Sequence, residues 1–330
     1  MKFEFVGLGD ITIDAFIKLK EGIHIDEPHD GHEKAVCLNF GDKIEYEDVT
    51  VVPAVGNAGN AAVSAHRLGL NSSLATDIGD DDFGKEDIKA LEKEGVDTSL
   101  VEIHAGMKSN YHYVLRYGPE RTILIKHHTY PYELPSFEEA PEWIYFSSIG
   151  EHGLEYHHTI AQYAKDNEVK LAFQPGSFQI SLGADVLKDV YEASEIFFCN
   201  KQEAQRILNS KEESMIKLME GVRALGPNIA MITDGPAGAY AMSDEGAWKV
   251  PMYPDPAPPV DRTGAGDSFS STIVSMLQQG LSLPEALIRG PINSMNVVQY
   301  IGAQEGLLTR DKLEELLSKA PTSYKIEKVA

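Results

Sequence analysis

The stretch that decides the fold reads Asp261-Arg262-Thr263-Gly264-Ala265-Gly266-Asp267. Residues 264–266 lack bulk, so the backbone can turn tightly there and approach a ligand closely. After this turn the pattern becomes helical, because four apolar residues fall on one face: Phe269, Ile273, Met276 and Leu277. Gly280 suits a C-terminal cap. The glycine turn is therefore predicted to open a helix whose first N–H groups form an anion site.

Asp267 stands at the start of that helix, and its carboxylate has two interpretations. It could cap the helix, as Asp often does. It could instead take a proton from an acceptor hydroxyl, since a positioned base adds roughly 10²–10⁴ in rate. The residues of this stretch alone leave both interpretations open.

The composition is that of a globular protein with an acidic surface. The chain has 330 residues, of which 42% are apolar and 24% charged, and a formal net charge of −22. This length suits one large α/β domain or two smaller ones. The charge repels phosphate backbones and anionic lipid, so neither nucleic acid nor membrane is an expected partner.

Two cysteines, Cys37 and Cys199, lie far apart and form no CxxC or Cys/His spacing. The absence of such spacing argues against a disulfide scaffold or a zinc site and fits a reducing cytosol. The first residues read as a strand broken by acids rather than as a signal peptide, and no run approaches the roughly 20 apolar residues needed to cross a bilayer. A cytoplasmic protein is expected.

Strand-like and helix-like segments alternate along most of the chain, which predicts a mostly parallel sheet covered by helices on both faces. The predicted strands are Glu4–Leu8, Ser73–Ile78, Trp143–Ser148, Val169–Phe173, Glu195–Cys199 and Ile229–Thr233. The predicted helices are Ala58–Leu68, Lys85–Glu94, Leu154–Asp166, Lys201–Leu208 and Lys211–Leu225, with others after Gly264.

Two segments break this rhythm and are predicted to form a small β-sheet lid over the main domain. Residues 15–55 and 101–130 contain extended pieces, such as Tyr111–Tyr117 and Thr122–Lys126. The main α/β domain would then comprise residues 1–14, 56–100 and 131–330. Within the first lid segment, the polar run His24–Lys34 is predicted to be a loop.

Six motifs in chain order resemble those of the ribokinase (PfkB) family of sugar and nucleoside kinases. The stretch ending at Asp267 is similar to the family's GAGD signature. The other five are Gly9-Asp10-Ile11-Thr12-Ile13-Asp14, the Gly56–Ala62 run Gly56-Asn57-Ala58-Gly59-Asn60-Ala61-Ala62, the turn Gly79-Asp80-Asp81-Asp82-Phe83-Gly84, Asn200-Lys201-Gln202-Glu203, and Thr233-Asp234-Gly235 with Gly238.

The resemblance implies transfer of the γ-phosphate of ATP to a substrate hydroxyl. Asp267 would be the general base, and Gly264, Ala265 and Gly266 would form the anion hole. Substrate contacts are expected from Asp14, Gly56, Asn57 and Asn60. ATP contacts are expected from Asn200, Glu203, Thr233, Asp234, Gly235, Gly238, Arg262 and Thr263. Glu203 would help hold Mg²⁺, and Asp261 matches a position that binds a monovalent cation such as K⁺ in some members.

The lid is expected to supply further substrate contacts. Strand alternation sends Tyr111 and Tyr113 to one face and His112 to the other. One face of a lid covers the substrate, so His112 and Arg121 are candidate contacts. Gln174, which stands where many family members carry Asp, is a comparable candidate, as is Phe178. A lid with exposed edges also favours a homodimer.

The preferred interpretation is a kinase that phosphorylates a primary hydroxyl of a small sugar with Mg·ATP as donor. A nucleoside kinase is the nearest alternative, because the family serves both substrates. A non-catalytic nucleotide-binding regulator with the same fold is a second alternative. A dinucleotide-dependent oxidoreductase would rest on Gly7-Leu8-Gly9, but Thr12 occupies the third glycine position. No GxxxxGK[ST] loop is present, so phosphate binding falls to the turn at 264–266.

Overall fold

The strands of this computed structural model alternate with helices, as the sequence predicts. The structure describes residues 2–20, 25–26, 35–118 and 120–330. Within those ranges the strands are β1 Phe5–Leu8, β2 Thr12–Leu19, β3 Ile25–Asp26, β4 Ala35–Val36, β5 Tyr46–Val55, β6 Ser72–Gly79, β7 Val101–His104, β8 Tyr111–Tyr117, β9 Glu120–Leu124, β10 Trp143–Phe146, β11 Lys170–Phe173, β12 Ser194–Asn200, β13 Ile229–Thr233, β14 Ala239–Ser243, β15 Gly246–Val250 and β16 Glu327–Lys328.

The helices of the structure include the predicted helix Leu154–Asp166, whose observed bounds are the same. They are α1 Asn57–Arg67, α2 Asp82–Lys93, α3 Leu154–Asp166, α4 Ser177–Leu182, α5 Lys188–Ala193, α6 Lys201–Ile207, α7 Met215–Arg223, α8 Ala265–Gln278, α9 Leu283–Leu287, α10 Gly290–Val297 and α11 Arg310–Ser318. A short 3₁₀ turn covers Gly235–Ala237. No helix of the described part of the chain is both long and apolar enough to cross a membrane.

A large, mostly parallel sheet organises the molecule, which confirms the predicted α/β class. Its strand order is β16-β15-β14-β13-β12-β11-β10-β1-β6-β7. The strands from β13 to β7 pair in parallel, whereas β14, β15 and β16 add an antiparallel edge. Helices that connect parallel strands cover the two faces, and the carboxyl ends of the strands meet at one edge.

Strand β10 shows why its sequence is an unbroken apolar run. All four of its residues are buried. Trp143 and Tyr145 point into the core shared with α1 and α8, whereas Ile144 and Phe146 point into the core shared with α3 and α7. A parallel strand with a helical layer on each face has no solvent side, so polar residues do not alternate along it.

A smaller four-stranded sheet has the order β5-β2-β8-β9. Strand β2 pairs antiparallel with β5 and parallel with β8, and β9 completes the edge. Strand β7 corrects one sequence-based expectation, because it pairs with β6 in the large sheet although it lies in the predicted lid segment 101–130. Regular pairing with a neighbouring strand decided its place, and its sequence does not encode that choice. The remaining domain boundaries stay a prediction.

The predicted loop His24–Lys34 lies largely outside the described residues. Its described part, β3, pairs with β4 as a separate two-stranded ribbon. Alternation on β8 places the Tyr111 and Tyr113 rings 5.1 Å apart on one face of the small sheet. His112 lies on the other face, directly opposite Asp14 of β2.

Candidate active site

Five polar residues lie where parallel strands of the large sheet end. Asp10 follows β1, Ser148 follows β10 and Gln174 follows β11, while Asn200 and Thr233 end β12 and β13. In open α/β sheets this edge is where ligands bind. The N-terminal end of α8 faces the same edge, since Asp267 bonds to Gln174.

The predicted glycine turn begins helix α8, and Gly264 is its N-terminal cap with φ of 80°. A side chain at this position would be strained by the left-handed backbone, and its Cβ would lie 2.4 Å from the Cβ of Ala303. The N–H groups of the first turn of α8 have no partner within the helix. Three residues of the predicted apolar face, Phe269, Ile273 and Met276, are buried and Leu277 is partly buried. Burial is not confined to that face, because every residue from Asp267 to Met276 is buried.

Asp267 does not cap its own helix, since its carboxylate is held by side chains from other elements. Oδ1 accepts hydrogen bonds from Asn57 Nδ2 at 2.7 Å and Gln174 Nε2 at 3.0 Å. Oδ2 accepts one from Asn60 Nδ2 at 2.8 Å. The residue is only 6% exposed. These three amides fix the position of the carboxylate, and its remaining lone pair can accept a further hydrogen bond.

Two cavities meet at Gly266, the residue before Asp267, although Asp267 itself lines neither of them. A cleft of about 1010 Å³ lies between the small sheet and the strand ends, and an apolar pocket of about 290 Å³ lies on the other side of the glycine turn. Three residues line both spaces: Thr233, Gly266 and Phe269. The larger space can hold an acceptor and the smaller one a flat apolar group, with the helix N-terminus between them.

The predicted substrate residues divide into three groups. Asn57 and Arg121 line the large cleft. Asn60 is buried against Asp267, and Gly56 precedes α1. Asp14 and His112 meet instead at the inner face of the small sheet, where His112 Nδ1 lies 3.4 Å from Asp14 Oδ1. Arg121 also reaches Asp261, with Nη1 3.9 Å from Oδ1.

Three residues near this inner face were not found from the sequence. Tyr132 donates its hydroxyl to the buried Asp10 carboxylate, at 2.9 and 2.8 Å from its two oxygens. His127 Nδ1 lies 3.4 Å from Asp10 Oδ2, and His127 lines the cleft. Burial and the charge of Asp10 raise the pKa of Tyr132 above its ordinary range. Ser148, which also lines the cleft, belongs to no recognisable motif.

The predicted ATP residues lie on both sides of the glycine turn. Asn200 caps α6 by accepting from Glu203 N at 2.9 Å, and both residues line the large cleft with Thr233. Four predicted residues line the apolar pocket: Thr233, Gly235, Gly238 and Arg262. Asp234 and Thr263 line neither space.

The two predicted metal residues differ in what they offer a cation. Burial raises the pKa of Glu203, whose carboxylate also accepts from Asn200 N at 2.8 Å. Asp261 is buried and accepts hydrogen bonds from Thr263 N, Thr263 Oγ1 and Gly302 N. Among the described residues, no group of three or more His, Cys, Asp or Glu side chains could hold a metal ion. A site with one protein carboxylate would have to be completed by phosphate oxygens and water, as Mg²⁺ permits.

The sequence matches the model of the pfkB family carbohydrate kinases over residues 25–310. The protein belongs to this family. It is a sugar or nucleoside kinase, a phosphotransferase with an alcohol group as acceptor, and its fold is the ribokinase fold.

Relatives of this pfkB-family kinase act on several substrates. It is 26% identical to the ribokinase of Bacillus subtilis (strain 168) over 269 residues, which are 80% of this chain and 87% of that protein. It is 26% identical to the fructoselysine 6-kinase of Escherichia coli (strain K12) over 250 residues, 75% of this chain and 90% of that one. The crystal structure of the nucleoside kinase of Methanocaldococcus jannaschii superposes with a TM-score of 0.78 at 21% identity, over 96% of this chain and 99% of that one.

Proposed function

We propose that this pfkB-family kinase transfers the γ-phosphate of Mg·ATP to a primary hydroxyl of a small sugar, with Asp267 as the general base. One observation carries the proposal. A buried carboxylate, held by three amides, follows Gly266, which lines both a large cleft of mixed polar and apolar character and a small apolar pocket. A base at a helix N-terminus serves a reaction in which a hydroxyl loses its proton next to an anion.

The steps follow from this placement. The adenine base would occupy the apolar pocket, so the triphosphate would run past the glycine turn toward the cleft. Asp267 takes the proton of the acceptor hydroxyl, and the hydroxyl oxygen forms a bond to the γ-phosphorus. The bond from that phosphorus to the β,γ-bridging oxygen breaks, and ADP leaves with the electron pair. The N–H groups of Ala265, Gly266 and Asp267 offset the charge on the phosphoryl oxygens.

Mg²⁺ would be held by Glu203 and the nucleotide phosphates, and it would neutralise phosphate charge. Glu203 suits this role because it lines the cleft beside Asn200. The carboxylate of Asp261 already accepts three hydrogen bonds, which leaves about one of its four acceptor positions for another contact. A monovalent cation at Asp261 therefore stays a prediction.

A sugar acceptor is supported by the polar groups near the cleft. Asp10 and Asp14 are buried carboxylates, and Asn57 adds an amide, so hydroxyls could be recognised from several sides. The nucleoside alternative is supported by apolar side chains of the same cleft, namely Ile123, Ile125 and Phe178, against which a base could pack. A second phosphate on the acceptor is disfavoured, because Arg121 is the one arginine or lysine among the described residues that line the cleft.

A panel of pentoses, hexoses and nucleosides, each assayed with Mg·ATP for ADP release and phosphorylated product, tests the proposal. We expect turnover with at least one sugar and little with nucleosides. Turnover confined to nucleosides would replace the sugar assignment with the nucleoside one. Binding of ATP without transfer to any acceptor would instead support a nucleotide-binding regulator.

The outer face of the small sheet is proposed to pair with a second copy of the chain. Partly exposed apolar side chains on this face are Val49 and Val51 of β5, Tyr113 of β8 and Leu124 of β9. Ala15 and Ile17 of β2 lie between β5 and β8 on the same face. Contiguous apolar surface of this kind is costly to leave in water and marks interaction sites. A cytoplasmic location is proposed because the two cysteines, Cys37 and Cys199, have no disulfide spacing, which fits a reducing compartment.

A further inference from the structure

Gln174 makes a contact with Asp267 that its position in the sequence does not reveal. It follows β11 directly, and its Nε2 lies 3.0 Å from Asp267 Oδ1. The same side chain lines the large cleft. A neutral amide therefore stands against the proposed base, at a position where a carboxylate would face it with a like charge.

The other end of the Gln174 amide is held as well. Its Oε1 lies within hydrogen-bond distance of two hydroxyls, that of Tyr145, which is fully buried in β10, and that of Ser270, one turn beyond Asp267 on α8. Each hydroxyl has one proton and the two also contact each other, so one of them donates to Oε1. The Tyr145 and Ser270 oxygens are 2.6 Å apart. These hydroxyls give the amide oxygen its partners, so the NH₂ group is the end left to face Asp267.

Reversing the amide would be unfavourable. Its oxygen would then lie about 3 Å from the Asp267 carboxylate, and two acceptors without a proton between them repel each other. The orientation with N–H toward Asp267 is thus set by chemistry on both sides. Asn60 is oriented in a similar way, because Gln304 Nε2 donates to its Oδ1 at 3.1 Å.

Counting acceptor positions distinguishes the two oxygens of Asp267. Each carboxylate oxygen offers about two lone pairs. Oδ1 accepts from both Asn57 and Gln174, whereas among the described residues Oδ2 accepts from Asn60 alone. The free position therefore lies on Oδ2.

We propose that Gln174 is a positioning residue for Asp267: its amide, oriented by Tyr145 and Ser270, helps to fill Oδ1 and leaves Oδ2 as the oxygen that receives the proton. This inference rests on the proposed role of Asp267 as base. It assigns Gln174 to the base, whereas the sequence suggested a contact with the substrate.

The charged and titratable groups around this contact are few. Tyr145 lies beneath Asp267 and feels its charge, and burial is the main reason that the pKa of Tyr145 is raised well above its ordinary range. The described groups that line the shared cleft are Arg121, His127, Glu151, Cys199 and Glu203. None of them touches the Gln174 amide in a contact between described residues, so a charge placed at position 174 would act chiefly on Asp267.

The test compares Gln174→Glu and Gln174→Met with the parent protein. Glu has nearly the same shape but places a second carboxylate against Asp267, so one of the pair must hold a proton at neutral pH. We expect the acid limb of the pH profile of kcat/KM to move up by about one pH unit or more, with activity recovering at higher pH. Met removes the donor without adding charge, and we expect kcat to fall about tenfold while KM for ATP stays within about twofold.

Gln162→Glu is the matched control, since Gln162 is exposed on α3 and its side chain donates to Asp166 of the same helix. The control should keep the parent profile. If Gln174 were merely structural, its variants would lose activity equally at all pH values. A Gln174→Glu profile that parallels the parent profile would overturn the proposal.

A second measurement does not depend on turnover. The carboxyl carbon of Asp267 is followed by NMR during a pH titration of ¹³C-aspartate-labelled protein, and an Asp267→Asn sample assigns the signal. We expect its titration in Gln174→Glu to move to higher pH than in the parent and in Gln162→Glu. An unchanged titration overturns the role of Gln174, whereas a shifted titration in a protein that phosphorylates no acceptor would overturn the proposed function alone.

Discussion

Asp267 is the residue on which the proposed reaction depends, and its surroundings make a sharp substitution possible. Asp267→Asn keeps the shape of the side chain but removes the proton acceptor, so we expect kcat to fall by about 10²–10⁴. The affinity for ATP, measured by calorimetry, should stay within a few fold, because the glycine turn is unchanged.

Asp311→Asn is the matched control for this substitution. Asp311 also lies in the first turn of a helix, but it is exposed. It should retain parent activity. An Asp267→Asn protein as active as the parent would contradict the assignment of the base, and a thermal scan of both variants separates loss of catalysis from loss of folding.

Asp87 is a second residue whose burial has a measurable consequence. It is 1% exposed, its Oδ1 accepts from Ala54 N at 2.7 Å, and its Oδ2 has no hydrogen-bond partner among the described residues. Burial raises its pKa from 3.8 to about 7. Between those two values the folded state holds a proton that the unfolded state has released, so stability falls as the pH rises through this window.

The Asp87→Asn variant should lose part of that pH dependence. The rise in pKa to about 7 corresponds to roughly 4 kcal/mol at most. We expect urea unfolding at pH 5, 6, 7 and 8 to show a clear decline in the free energy of unfolding of the parent and a shallower one in the variant. Asp77, whose pKa is raised to about 6 by burial, contributes equally to both proteins. Equal slopes in parent and variant would contradict the assignment.

At the scale of the element, the start of α8 depends on a glycine in a way that its other end does not. Gly264 and Gly280 flank the helix with nearly equal φ values of 80° and 84°. A Cβ at Gly264 would meet Ala303, whereas one at Gly280 would meet nothing within 4 Å. Two glycine-to-alanine substitutions on one helix therefore separate backbone strain from a steric clash.

We expect Gly280→Ala to lower the free energy of unfolding by about 1–2 kcal/mol, because a non-glycine residue is strained in a left-handed backbone conformation. Gly264→Ala should lower the free energy of unfolding by about 1–3 kcal/mol more, because its Cβ would clash with Ala303. It should also weaken ATP binding. Urea unfolding and calorimetry with ATP measure the two effects. Equal losses for both variants would show that Ala303 moves aside freely.

Elements also show how far local patterns reach. The bounds of α3 and β13 were predicted correctly, because their 3.6-residue and continuous apolar patterns are properties of neighbouring residues. The residues of β7 were predicted to belong to the small sheet, but β7 pairs with β6 in the large sheet. Its own residues do not indicate with which strand it pairs. The strands β14 and β15, which pair antiparallel, were not predicted at all.

At the scale of the whole molecule, the proposed dimer can be tested at the outer face of the small sheet. Val51 lies on this face and is largely exposed. We expect Val51→Asp to raise the dimer dissociation constant at least tenfold, since a buried charge without a partner is costly. Sedimentation velocity over a range of concentrations measures it.

Ile103→Asp is the control for the dimer, because Ile103 is equally exposed but lies on β7 of the large sheet. It should leave the association unchanged. A parent protein that is monomeric at all concentrations, or equal weakening by both substitutions, would contradict the proposed interface.

The sequence by itself determined the α/β class, the glycine turn that opens α8 and the ordered motifs of a pfkB-family kinase. These features depend on glycine conformation, apolar periodicity and residue order, all of which are local. Only the tertiary structure decided which side chains hold the Asp267 carboxylate. Asn57, Asn60 and Gln174 are 210, 207 and 93 residues away from it in sequence, yet their amides converge on its carboxylate. Such convergence results from burial of two cores on one sheet, and no local pattern records it.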